Sequence, residues 1–261
     1  MNINQAFKMA FKSIRSNRIR SALTMLGIII GVAAVIVMVS VVQGSNRKMQ
    51  EYYERMGTNK ITVSVTQWGG KDITQQLYDY CLSLDNLVLG VTPDISSSGP
   101  LIYGDKSTEQ MENGQPTTIT LGSTQFSLCN NFQIGKGRDL CQMDVQTGQQ
   151  VIVLGARTAE YLFLFQNPVG KTVLLSGHPF LVVGVYQAKD PDSAFSMDNM
   201  AVVPYTTNRL LNKSNKVDSF VVKAKTAQTT TEAITRITGI LKGIIKKETG
   251  FFNLYSENQA I

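Results

Sequence analysis

The sequence predicts an α+β protein, with one N-terminal transmembrane helix followed by a mixed α/β ectodomain that carries a β-rich insertion. Three observations support this. Ala22–Val42 runs for 21 residues without a charge. Beyond it, strand-like alternation and helix-like spacing follow one another near both ends of the remainder. Between those ends, residues 97–150 are rich in Gly, Ser, Thr, Gln and Asn, with weak alternating runs only.

A hydrocarbon core needs about 20 apolar helical residues to cross it, and Ala22–Val42 supplies that length. A signal-peptide core is shorter, about 7–15 residues, so the length favours an uncleaved anchor over cleavage near Val42-Gln43-Gly44. Ile28–Ile30 and Val35–Val39 leave no polar face for a helix in a soluble core. Lys8, Lys12, Arg15, Arg18 and Arg20 precede the run, and no acidic residue does. By the positive-inside rule these five set the topology, with the N-terminus in the cytoplasm and the main domain extracytoplasmic. After the run come Arg47, Lys48 and Arg55, interspersed with Glu51 and Glu54.

Gly27 and Gly31 form a GxxxG, extended on the same face by Ala34. Small residues at this spacing let two membrane helices approach closely. Glycine is common in membrane helices, so chance accounts for the pair equally well. Upstream, Ile3, Phe7, Ala10, Phe11 and Ile14 recur at helical spacing, which predicts a cytoplasmic amphipathic lead helix over 1–21. Downstream of the span at 22–42, Met49, Tyr52, Tyr53 and Met56 extend helical character into a stalk over 43–59, with Gly57 as its stop.

The ectodomain elements follow in order. Lys60–Thr66 alternates as a strand, Trp68-Gly69-Gly70 is a turn, Ile73–Leu84 a helix and Leu87–Val91 a strand. Thr117–Leu121 is one weak strand within the insertion at 97–150. Val151–Leu154 is a strand and Ala156–Phe163 a short helix. Lys171–Leu175 and Phe180–Tyr186 flank Ser176-Gly177-His178-Pro179 as a hairpin. Ala201–Pro204 is a strand and Thr206–Leu211 a helical turn with Thr206 as its cap. Asp218–Ala224 (strand), Thr229–Lys247 (helix) and Phe251–Tyr255 (strand) close the chain, so that 60–96 and 151–261 form one α+β domain around the insertion.

Composition narrows the function. The chain has 25 Lys and Arg against 19 Asp and Glu, but five of the basic residues flank the apolar run, leaving 20 against 19 elsewhere. The basic excess therefore belongs to membrane topology, and no nucleic-acid partner is expected. Cys81, Cys129 and Cys141 show no CxxC spacing, and an odd count argues against a disulfide framework, although Cys129 and Cys141 could pair across a loop. No metal motif occurs, and the single histidine, His178, lies in a predicted turn without a nucleophile motif. Gly170-Lys171-Thr172 has Phe165 where a phosphate-binding loop needs glycine, and it leads into a strand. Gly135-Lys136-Gly137-Arg138-Asp139 lacks the context of a dinucleotide fingerprint. No catalytic residue, cofactor site or metal site is expected.

Several blocks in order carry a family resemblance: Arg18–Ile36 (RIRSALTMLGIIIGVAAVI), Gly135–Asp139, Val151–Gly155, Ala159–Phe163, Asn167–Val173, Phe180–Val185 and Val203–Tyr205. Together they resemble the first membrane helix and extracytoplasmic core of MacB-like (MacB/FtsX-type) ABC transporter permeases. The resemblance implies a porter-like ectodomain with a smaller sabre-like insertion, in a four-span permease working as a homodimer or heterodimer. It implies a cytoplasmic ABC ATPase that binds ATP on a separate subunit or domain, and an extracytoplasmic accessory protein as a further candidate partner. ATP hydrolysis would drive movement outside the cell for export or extraction of a drug, peptide or lipid-like cargo.

The sequence departs from that plan at Ile261, where further membrane helices would be expected, so it reads as a permease fragment or a truncated gene product. The alternative expectation is a single-span anchored binding or regulatory protein, similar to the FtsX-type members that control cell-wall hydrolases.

Overall fold

A computed structural model of the chain describes residues 8–9, 16–56, 59–67, 74–111, 116–189, 196–245 and 250–256. The chain divides into two compact units, Met1–Tyr53 and Glu54–Ile261.

The first unit is built on α1 (Arg18–Met56). The span expected at 22–42 and the stalk expected from 43 onward form one continuous helix through Met56. Gly44 does not break it, since one helical glycine costs only about 1 kcal/mol relative to alanine. Most of the expected lead helix over 1–21 lies outside the described residues, as do Gly57 and the Trp68-Gly69-Gly70 turn.

The second unit begins with β1 (Lys60–Gln67), α2 (Thr74–Ser83), β2 (Val88–Pro93), β3 (Ile95–Ser97), β4 (Leu101–Tyr103), β5 (Lys106–Ser107) and β6 (Thr118–Gly122). Next come α3 (Phe126–Asn130), β7 (Ile134–Gly137), α4 (Gln142–Thr147), β8 (Val151–Leu154), α5 (Ala156–Phe163), β9 (Thr172–Leu175) and β10 (His178–Tyr186). The chain continues through β11 (Met200–Pro204), α6 (Asn208–Leu211), β12 (Ser219–Ala224), α7 (Ala227–Ile244) and β13 (Gly250–Ser256).

A four-stranded sheet has the order β13-β1-β12-β2, and all its pairings are antiparallel. Ile61, Val63 and Val65 of β1 point inward with Phe220 and Val222 of β12, while Ser64 and Thr66 are exposed. This is the period-2 pattern of a sheet with one covered face. Ala233, Ile237 and Leu241 of α7, with Leu77 and Cys81 of α2, join the same core. The α7 helix starts at Ala227 because Thr226 caps it: its Oγ1 accepts from the Thr229 N–H at 3.2 Å, and Thr229 Oγ1 accepts from the Thr226 N–H at 2.9 Å.

The second sheet has nine strands, in the order β3-β6-β11-β8-β10-β9-β4-β5, with β7 paired to β10. It mixes parallel pairs (β8 with β10, β6 with β11) and antiparallel ones. Its central strands are buried on both faces. Ile152 and Leu154 of β8 enter the main core, while Val151 and Val153 enter a second cluster with Phe126, Leu140, Tyr186 and Val202. Burial on both faces requires unbroken apolar runs such as VIVL and MAVVP.

The sheet boundary does not follow the expected insertion. The nine-stranded sheet draws its strands from Ile95 to Pro204, so β8–β11 lie with the strands of residues 97–150 and not with β1, β2, β12 and β13. The polar middle segment supplies edge strands such as β5 and β7, which need little apolar surface, and the apolar runs supply the centre. The β9–β10 hairpin turns on Ser176 (φ 50°) and Gly177 (φ 82°), so His178 opens β10 and does not sit in the turn. The predicted helical turn exists as a short 3₁₀ segment (Tyr205–Thr207) leading into α6. Thr206 does not cap it: its hydroxyl donates to the Val145 carbonyl at 2.8 Å.

Candidate functional site

The predicted packing face lies on α1. Thr24 Oγ1 donates to the carbonyls of Arg20 (3.1 Å) and Ser21 (2.9 Å), which satisfies a hydroxyl that lipid could not. One turn on, a Cβ added to Gly27 or Gly31 would meet nothing within 4 Å. Gly27, Gly31 and Ala34 therefore form an open shallow strip on the helix, flanked by exposed Ile28, Ile30 and Val35. The stretch Arg18–Met49 is long and apolar enough to cross a membrane. Arg18 and Arg20 stand exposed at its start and Lys8 is exposed upstream, while Lys12 and Arg15 lie outside the described residues.

In the second unit, Gly135–Asp139 forms a tight corner. Gly137 has φ 74°, and a Cβ there would overlap the Val183 carbonyl of β10. Gly184, opposite it in the ladder, is equally close to the Arg138 backbone. Arg138 then holds the buried Asp144 in the first turn of α4. Asp144 also accepts the Cys141 N–H at 2.9 Å. Burial alone would raise the Asp144 carboxyl, but these donors outweigh it and hold the group below the usual carboxylate range. Asp139 accepts from the Leu140 N–H (2.8 Å) and the Tyr186 hydroxyl (3.0 Å). Burial, reinforced by that carboxylate, pushes the Tyr186 phenol up. The block is a structural clamp, and it was visible in the sequence only as glycines around an Arg-Asp pair.

Among the described residues of this unit, two clefts stand out. One, of about 350 Å³, lies between α5 and β10 and is lined by Ala156, Ala159, Leu164, Pro168, Val185 and Tyr186 among others. Leu164, with φ 52°, turns the chain at its rim, and Phe165 beside it is fully exposed.

The other, of about 230 Å³, sits where the chain passes from the first sheet to the second. Lys60 from β1, Asp94 between β2 and β3, Thr118 and Thr120 from β6, and Phe126 and Asn130 from α3 line it. Phe126 and Phe132 stack with centroids 6.1 Å apart. The Lys189 ammonium lies 4.6 Å over the Phe132 ring and donates to the Asn130 carbonyl at 2.8 Å. Asn199 Oδ1 accepts from the hydroxyls of Thr117 (2.8 Å) and Thr158 (3.3 Å). Burial raises the Asp94 carboxyl, with Lys60 pulling the other way. Nothing in the sequence marked these residues except a lone acid set between strand-like VTP and ISS.

Among the described residues, no three His, Cys, Asp or Glu side chains converge to hold a metal ion. Gly170-Lys171-Thr172 leads into β9, so no helix N-terminus faces its amides. The three cysteines are free, and the pairing open to Cys129 and Cys141 is not formed: Cys129 is buried and Cys141 exposed.

The strongest pointers to identity are the exposed apolar helix and the two-sheet domain that follows it in the chain, and comparison with known proteins agrees with both. A macrolide export ATP-binding/permease protein MacB of Aggregatibacter actinomycetemcomitans is 30% identical over 97% of this chain, covering 39% of its own length. That of Mannheimia succiniciproducens is 31% identical over 84% of the chain and 34% of its own length. The chain thus spans well under half the length of these relatives. Among solved structures, the periplasmic region of MacB from Actinobacillus actinomycetemcomitans shares the fold, with a TM-score of 0.62 at 24% identity over 82% of this chain and 95% of that one. The extracellular domain of the noncanonic ABC-type transporter YknZ from Gram-positive bacteria does so with a TM-score of 0.55 at 16% identity, covering 76% of this chain and all of that domain. The model of the MacB-like periplasmic core domain matches residues 21–240, and the chain belongs to that family.

Proposed function

We propose that this chain supplies the first membrane span and the extracytoplasmic domain of an ABC-type permease, with its N-terminus in the cytoplasm. A partner ATPase, on a separate subunit or domain, binds and hydrolyses ATP, and a second permease copy completes the unit. The chain itself performs no covalent chemistry. Its part is mechanical: tilt of the span during ATP-driven closure is transmitted outward to move the extracytoplasmic domain and so export or extract a drug, peptide or lipid-like cargo. An extracytoplasmic accessory protein would receive that cargo.

The observation that carries this reading is the unbroken α1. Residues 43–56 continue the helix about 20 Å past Val42 at 1.5 Å per residue. A helix without a hinge is suited to act as a lever, whereas a tether would need a flexible break. The experiment is double electron–electron resonance on the full permease reconstituted with its ATPase, with spin labels on Phe165 of both copies. The inter-label distance should differ between nucleotide-free and ATP-bound states. A distance distribution unchanged by ATP would sink the mechanical reading.

A further inference from the structure

The cleft between the sheets is lined by two opposite charges that feel each other, Lys60 pulling the Asp94 carboxyl down, but that no direct bond holds. Asp94 and Lys60 both line it, and neither side chain makes a hydrogen bond or ion pair among the described residues. Their neighbours are committed: Lys189 to Asn130, Asn199 to Thr117 and Thr158. Among the described residues Asp94 is anchored through its backbone, whose N–H donates to the Ser219 carbonyl at 2.9 Å. Asp94 is half-buried, and a partly desolvated carboxylate without a donor carries a cost that Lys60 offsets only in part.

The charge pattern narrows the ligand. A simple cation would meet Lys60 and Lys189, and a simple anion would meet Asp94. A molecule carrying both charges close together satisfies both sides. The volume, about 230 Å³, lies below the roughly 300–1,000 Å³ typical of drug-sized sites. The stacked Phe126 and Phe132 give the cleft an apolar wall, and the Thr118 and Thr120 hydroxyls add polar contacts.

We propose that this cleft binds a small zwitterion of the α-amino-acid class, free or as a dipeptide, with Asp94 on its ammonium group, Lys60 on its carboxylate and Phe126 and Phe132 against its side chain. Because Lys60 and Asp94 belong to the first sheet and its exit, and Thr118 and Thr120 to the second, the ligand would bridge the two sheets. The inference does not depend on the transport reading.

The test is calorimetric titration of the full chain in lipid nanodiscs with L-alanine, glycylglycine, acetate and methylamine. L-alanine or glycylglycine should bind saturably. Acetate and methylamine, each carrying half the charge pattern, should bind at least about tenfold more weakly. Binding of L-alanine alone assigns the site to free amino acids; binding of glycylglycine alone assigns it to peptides. Asp94→Asn and Lys60→Gln should each weaken binding about tenfold or more. The thermal midpoint of Asp94→Asn should hold or rise, since a neutral amide replaces an unpaired carboxylate. No saturable binding of either zwitterion, or binding unchanged in either variant, overturns the proposal.

Discussion

Arg138 closes on Asp144 with both arms of its guanidinium, Nη1 to Oδ2 at 2.5 Å and Nη2 to Oδ1 at 3.1 Å. The carboxylate is buried at 3% exposure, whereas the arginine is 48% exposed. The pair ties the corner after β7 to the start of α4, and Cys141 adds its N–H to the same oxygen. An arginine can do this where a lysine cannot, because its planar fork matches both carboxylate oxygens.

Arg138→Ala should therefore cost about 1–2 kcal/mol, the value of charged hydrogen bonds to a buried group discounted for the exposed partner. Arg138→Lys should recover only part of it. The cost should also depend on pH. The Asp144 carboxyl is held below its unfolded value, so its stabilisation is fully present above about pH 4 and lost as pH falls through the folded value. The melts of wild type and Arg138→Ala should begin to converge as pH falls below about 4 and should meet once it passes the folded value; a gap that held or widened over that range would contradict this account.

Gly184→Ala should be costly for a different reason. A Cβ there would press on the Arg138 backbone inside 3.0 Å, and backbone cannot step aside cheaply. Overpacking of this kind costs about 1–3 kcal/mol. Gly239→Ala is the contrast: it lies on the exposed side of α7 with nothing within 4 Å, so it should gain up to about 1 kcal/mol. Circular-dichroism melts of the two variants should move in opposite directions.

These two glycines show what the sequence could and could not reveal. Val151–Leu154 and Ala156–Phe163 were legible to the residue, because their periodicity and composition are local properties. Helical character running on past Val42 to Met56 was also legible, although the helix begins earlier, at Arg18, than the expected span at 22–42. The partition into sheets was not, because it depends on which edges pair. β4 (LIY) and β5 (KS) are too short, at three and two residues, to show an alternation, and β7 is mostly glycine and lysine. The Asp94–Lys60 cleft was illegible for the same reason: its two charges are far apart in the chain, and only the strand register brings them to one place.

The cysteines offer a test of orientation. Burial pushes the thiols of Cys81 and Cys129 up to about 12, so neither supplies thiolate at neutral pH. Cys141 is exposed. With the N-terminus in the cytoplasm, a membrane-impermeant maleimide added to spheroplasts should label one thiol per chain, and Cys141→Ser should abolish the signal. Labelling of Cys141 only after the membrane is opened would reverse the proposed topology.

The last prediction concerns the strip on α1. Gly27 and Gly31 present bare backbone to an open side of the helix, with room beyond each for a Cβ and more. In lipid there is no hydrophobic drive between helices, so close backbone approach and the van der Waals contact it allows must supply the attraction. A leucine at either position would hold a partner helix away. The Gly27→Leu/Gly31→Leu double variant should therefore weaken permease assembly, seen as reduced cysteine cross-linking between copies or between spans in native membranes. A Cβ at either glycine meets nothing within 4 Å among the described residues, so the extracytoplasmic fold should be unaffected, and the thermal melt of that domain should not move. A Gly27→Ala/Gly31→Ala variant, still small at both positions, should retain most of the cross-linking. Full cross-linking in the leucine variant would remove the packing role from these residues and leave Ala22–Val42 as an anchor alone.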